Sequence, residues 1–276
     1  MTQTPPPLTD RAALLRHRAR AQATFLHEAV AADVQERLAE VNRTFTRPAV
    51  VTPFPDVWRR ALPAARTVPD DDALALEPGA HDLVLHALAL HWANDPVGQM
   101  IQCRRALAPD GLFLGYLFGG QTLAGLRACL AEAETGATGG LSPRVLPMAE
   151  IRDAGGLLQR AGFALPVADA LTLRVAYRDA LHLMRDLRAM GEGNALAARL
   201  RRPTRRGVIA RAARLYAETC GDGAGGVAAT FEILCLTGWA PHDGQPKPLR
   251  PGSAARRLAD ALGTVERPLP RADPPG

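Results

Sequence analysis

The side chains best suited to chemistry are few and scattered along the sequence. His81, His86 and His91 lie five residues apart around the apolar run HDLVLH. Alternate residues of a strand face opposite sides, so that spacing does not gather three imidazoles on one metal. No HxD or HExxH occurs, so neither a facial-triad iron site nor a zinc-protease site has a local motif, and no metal site is expected. There is no P-loop and no Ser-His-Asp arrangement at recognisable spacing. Leu90, His91 and Trp92 follow the apolar run at its C-terminal end, where open α/β sheets place ligands. They read either as contacts to a cofactor or as packing under the next helix. Cys103, Cys129, Cys220 and Cys235 form no CxxC pair and read as reduced, mostly buried thiols.

Charge is unevenly distributed. The 276 residues carry a net charge of +5, almost all of it from arginine, with Lys247 the only lysine. Between Arg199 and Arg214 there are seven arginines and no acid. Arg201, Arg202, Arg205 and Arg206 at its centre fit a docking surface for an acidic protein, nucleic acid or anionic lipid. The same run also fits a solvated helix face. Few aromatics are interleaved with it, so base stacking and specific nucleic-acid binding have little support.

These groups need elements to position them. Residues 11 to 42 carry apolar side chains at spacings of three and four, which predicts one long helix. Ala49 to Thr52 predicts a buried strand, and Asp56 to Leu62 a helix. HDLVLHAL and LFLGYLF predict two strands buried on both faces. Between them Asp95 caps a helix that begins at Pro96 and ends before Pro109-Asp110-Gly111. Helices follow in QTLAGLRACLAEAE, AEIRDAGGLLQRAGF, RDALHLMRDLRAM and RRGVIARAARLYAET. DALTLRVAY and ATFEILCLTGWAP alternate as antiparallel strands do, and Ser253 caps a last short helix. Residues 1–10 and 265–276 are proline-rich and predict disordered tails around a single domain spanning 11–264. No signal peptide and no apolar run long enough to span a bilayer is present, which points to the cytoplasm, with at most peripheral membrane contact.

LAPDGLFLGYLFGG resembles the late motif of class I S-adenosylmethionine (SAM) methyltransferases. HDLVLHALALHWANDPVGQMIQCRRALAPDGLFL, FGGQTLAGLR, GGLSPRVLPMAEIRDAGGLLQRAGF, MRDLRAMGEGNAL, ATFEILCLTGWAPH and QPKPLRPGSA, in that order, resemble the methyltransferase-fold family that includes the mitochondrial complex I assembly factor acting as an arginine hydroxylase. The resemblance runs from about Phe25 to Leu262. It implies an α/β fold, a class I, Rossmann-like sheet with antiparallel C-terminal strands and added helices, and a protein partner such as a complex I subunit. It also implies SAM as cofactor, Asp70 or Asp71 at the adenine amino group, and an acceptor site near Ser142 and Arg144, with Arg144 holding an acidic group. Asp70 and Asp71 also read simply as turn residues.

One departure bears on the cofactor. Family members place a glycine-rich loop after the first strand, whereas this chain has no glycine before Gly79 and reads Pro53-Phe54-Pro55 there. Proline has no N–H to offer a carboxylate or phosphate. Only 32 positions separate Val51 from Leu83, too few for three strand–helix crossovers, so the sheet is expected to be truncated near its first strands. Two readings follow: a family member with impaired SAM binding that binds or acts on a protein partner, or an active protein-modifying enzyme, methyltransferase or hydroxylase, with a rebuilt pocket.

Overall fold

The computed structural model describes residues 6–246 and 263–265. The chain divides into two compact units, Met1–His242 and Asp243–Gly276; the helix expected after Ser253 lies outside the described residues. The first unit opens with helices α1 (Arg11–Arg18) and α2 (Phe25–Glu40), followed by strand β1 (Pro48–Val51), α3 (Pro55–Ala61), β2 (Arg66–Val68) and β3 (His81–His86). Next come α4 (Pro96–Ala106), β4 (Leu107–Phe118), α5 (Ala124–Thr138) and α6 (Ile151–Arg160). The unit is completed by β5 (Ala164–Tyr177), α7 (Ala180–Ala189), α8 (Arg206–Cys220) and β6 (Val227–Trp239).

The six strands form one sheet in the order β2-β1-β3-β4-β6-β5. The first four are parallel, and β6 runs antiparallel to both β4 and β5. The expected truncation is present: one seven-residue helix and one three-residue strand connect β1 to β3. All six residues of β3 are buried, as a central strand covered on both faces requires. Between β3 and β4 the register slips after the His81–Leu107 pair and resumes at Leu83–Leu112. Asp110 takes φ 60° in that bulge, so Pro109-Asp110-Gly111 bends a strand that has already begun.

Alternation along the strands separates two cores. Val50, Leu83, Leu85, Leu112, Leu114 and Tyr116 face α2, α3, α5, α7 and α8. Val51, Val84, Phe113 and Leu234 face α4 and α6. The N-terminal region departs from the expected single helix. The chain leaves the helix at Arg18 and resumes at Phe25, and the N–H groups of Gln22 and Ala23 both donate to the Ala189 carbonyl at 2.7 and 3.0 Å. That break frees α1 to lie across the C-terminal edge of β2, where Arg11 and Arg18 meet Asp70.

Candidate functional site

The parallel strands end together, and the turns after β1, β2, β3 and β4 make up the edge where a ligand would sit. After β1, the Thr52 hydroxyl accepts the Phe54 N–H at 3.0 Å. Pro53 and Pro55 have no N–H, so the one backbone N–H of residues 53–55 is already used. The Phe54 ring meets His27 of α2 edge-on, with centroids 4.7 Å apart. Burial holds His27 largely uncharged, with its pKa pushed down to about 4.

After β2, Asp70 is 4% exposed rather than standing in an open turn. Its two oxygens accept from both outer nitrogens of Arg11, at 2.9 and 3.1 Å, and from Arg18 at 2.7 Å. Burial raises the Asp70 pKa, but the hydrogen bonds and charges of Arg11 and Arg18 outweigh it and hold the carboxyl below its usual range. Asp71 is exposed; its carboxylate accepts from an outer nitrogen of Arg11 at 3.1 Å and its backbone carbonyl from Gln99 Nε2 at 3.1 Å. A cleft of about 440 Å³ runs past Arg11, Arg18, Thr52, Pro53, Asp70 and Asp71.

After β3, Leu90, His91 and Trp92 form one 3-10 turn, and all three are buried. Trp92 Nε1 donates to Glu192 Oε2 at 2.6 Å, and His91 Nε2 lies 3.5 Å from the same oxygen. The His91 ring packs against Phe118 at 4.5 Å. Leu90 lies in the core beneath α4. The three histidines part company as the spacing implied: His81 bonds the Arg47 carbonyl, His86 bonds Gln99, and His91 faces Glu192. Burial raises the Glu192 pKa, but His91, Arg18 and Trp92 outweigh it, so its carboxyl sits below the ordinary range.

Beyond β4, Glu192 and Trp92 line a cavity of about 220 Å³. Most of its wall is apolar, including Phe118, Leu126, Leu130, Leu146, Met184 and Leu187. Arg144 stands at its side and is bound internally. Its Nε and Nη2 donate to Glu134 at 2.9 and 2.6 Å, and its Nη1 donates to the Thr204 hydroxyl at 2.8 Å. Ser142 gives Glu134 a backbone and a hydroxyl hydrogen bond, at 3.0 and 2.9 Å. With Arg144 the chief cause, the Glu134 pKa is held down at about 2. A second cleft, of about 340 Å³, adjoins through Arg144 and Thr204 and is lined by Arg202 and Arg205. Arg201, Arg202, Arg205 and Arg206 are all exposed, and Arg201 reaches Asp10 at 3.4 Å.

The structure thus brings Asp70 and Asp71 to one cleft, and Trp92, Arg144 and Thr204 to another cavity. Arg11, Arg18, Glu134 and Glu192 organise both places but escaped the sequence reading. Arg11, Arg18 and Glu192 are joined to partners far away in the chain, Arg18 and Asp70 being 52 residues apart, whereas Glu134 meets Ser142 and Arg144 only eight and ten residues on.

Residues 16–115 match the family model described as a methyltransferase domain. The arginine-hydroxylase NDUFAF5 of Danio rerio is 40% identical over 72% of this chain and 62% of its own length. A malonyl-[acyl-carrier protein] O-methyltransferase of Nitrosospira multiformis is 36% identical over 62% of this chain and 53% of its own. The YcgJ protein of Bacillus subtilis superposes with a TM-score of 0.48 at 10% identity, over 78% of this chain and 99% of that one. The chain spans about three-fifths of the length of the hydroxylase relatives. The chain is thus similar, over most of its own length, to the methyltransferase-fold proteins that include the mitochondrial arginine-hydroxylase NDUFAF5.

Proposed function

We propose that this chain is a methyltransferase-family protein with impaired SAM binding, which binds or acts on a protein partner at the cavity beside Glu192. The observation that carries this reading is the state of the cofactor edge. The Phe54 N–H is taken by Thr52, and both Asp70 oxygens are taken by arginines of α1. A cofactor amino group would have to share Oδ1 with Arg11, on a carboxylate whose other oxygen already accepts from both Arg11 and Arg18. The acceptor side keeps its cavity. The walls are mainly apolar, with Glu192 as the one carboxylate beside Arg188 and the Glu134-bound Arg144, and the carboxylate suits an aliphatic stem ending in a cation. An arginine side chain has that form, and arginine is named in the activity of the hydroxylase relatives. A subunit of respiratory complex I and a cytoplasmic location belong to the same proposal; no helix among the described residues is long and apolar enough to cross a membrane.

The open cleft at Thr52 and Asp70 favours a second reading, an active protein-modifying enzyme, methyltransferase or arginine hydroxylase, with a rebuilt SAM pocket. Calorimetric titration with SAM and with S-adenosylhomocysteine separates the two. The first reading expects no heat and no thermal shift up to millimolar ligand. Micromolar binding of either would overturn it and establish the second.

A further inference from the structure

Arg202, Arg205 and Arg206 lead into and open α8, and all three are exposed. None of the three makes a side-chain hydrogen bond or ion pair among the described residues. This distinguishes them from Arg199, paired with Asp10, and from Arg211 and Arg214, each near a glutamate. The first turn of α8 contains no acid, so nothing there offsets the cations or the positive end of the helix. Nearby Glu134 is already neutralised by Arg144.

The place of this rim matters as much as its charge. Thr204 and Arg144 line both the apolar cavity and the cleft that Arg202 and Arg205 border. A segment lying in that cleft can therefore reach the cavity past Arg144 and Thr204, with Arg202 and Arg205 alongside it. An apolar socket beside a one-sign rim combines an anchor with electrostatic selection of what surrounds it.

We propose that the rim of Arg202, Arg205 and Arg206 receives an acidic stretch of the partner protein, flanking the side chain that enters the cavity. This rests on the reading that the cavity takes a partner side chain, and it names the sequence character that the partner must have. Carboxylates on both sides of the anchor would meet guanidinium forks able to bind them in pairs. Such contacts are exposed, so they act mainly through long-range attraction and fade as salt rises.

Fluorescein-labelled twelve-residue peptides test this by anisotropy. One carries a central arginine flanked by glutamates, a second has the same arginine flanked by glycine and serine, and a third keeps the glutamates but has alanine at the centre. The proposal expects the first to bind at least about ten times more tightly than the second at low salt, with the difference lost in 0.5 M NaCl. The variant R202A/R205A/R206A should bind the first no better than the second while keeping the wild-type melting temperature. Equal binding of the first two peptides, or a triple variant indistinguishable from wild type, would overturn the rim while leaving the cavity reading intact. Rim-dependent binding of the third peptide at the strength of the first would support the rim and remove the cavity reading. Tighter binding of a twelve-nucleotide single strand or of phosphatidylserine vesicles than of the first peptide would overturn the choice of an acidic protein.

Discussion

At the scale of single residues, Asp70 and Arg18 make up a buried ion pair whose side chains are 5% and 4% exposed. Nε and Nη2 of Arg18 have no hydrogen-bond partner among the described residues, so its side-chain hydrogen bonding goes to Asp70, with the charge of Glu192 acting beside it. Asp70→Asn removes the carboxylate that this buried cation bonds and should cost about 3–5 kcal/mol at pH 7, read by urea unfolding. The folded-state pKa of Asp70 is depressed, so its contribution is present above the unfolded value near 3.9 and is lost as pH falls through the lower folded value. The variant and the wild type should therefore converge toward pH 2. A cost under 1 kcal/mol at neutral pH would mean that the pair does not hold α1 to the sheet. Arg144 allows the opposite distinction. If it served a partner's acid, Arg144→Ala would leave stability untouched. Bound to buried Glu134 by two hydrogen bonds, it should instead lower stability by about 2 kcal/mol. Thermal unfolding decides between these.

At the scale of elements, α1 and α7 meet through a glycine. Gly191 follows α7 at φ 79°, and a Cβ there would lie 3.1 Å from the Arg18 Cα, a backbone atom that cannot swing away. Gly191→Ala should therefore cost more than 1 kcal/mol, roughly, from the left-handed backbone alone, and more through the contact with α1. A neutral effect in thermal unfolding would show that the junction is looser than the packing implies. The glycine that closes α7 was legible in RDLRAMG, as were the Asp95 cap of α4 and the buried run of β3. What it packs against was not. The break between α1 and α2 was hidden because Ala19 to Thr24 contains no glycine or proline to mark it; hydrogen bonds to Ala189 and the pull of Asp70 on Arg18 decide it. The Pro53-Phe54-Pro55 turn could be read because it lacks something chemically necessary, and a missing N–H is visible in one dimension. The arginines that occupy Asp70 come from another helix and could not be.

At the scale of the whole molecule, the sheet buries histidines on both of its faces, and this sets how the protein responds to acid. His27 lies on the buried face of α2 and His86 lies in β3; burial pushes both down to about 4. An unfolded chain takes up a proton at each near pH 6.5, which the folded chain refuses. The unfolded state thus binds more protons between about 6.5 and 4, and stability must fall with acidification throughout that window. Each histidine contributes a slope of up to about 1.4 kcal/mol per pH unit there. Asp70, Glu134 and Glu192 act in the other direction of charge, with depressed folded-state values, so their losses come lower, as pH drops below about 4. The acid limb should therefore have two stages. Urea unfolding at pH 7, 6, 5 and 4.5 should show the first, and His27→Phe, which keeps a ring against Phe54, should reduce its slope by about half while leaving the carboxylate stage in place. A wild-type stability that stays level from pH 7 to 4.5 would mean that water reaches these imidazoles. The sheet's two cores would then not seal its central strand as their packing requires.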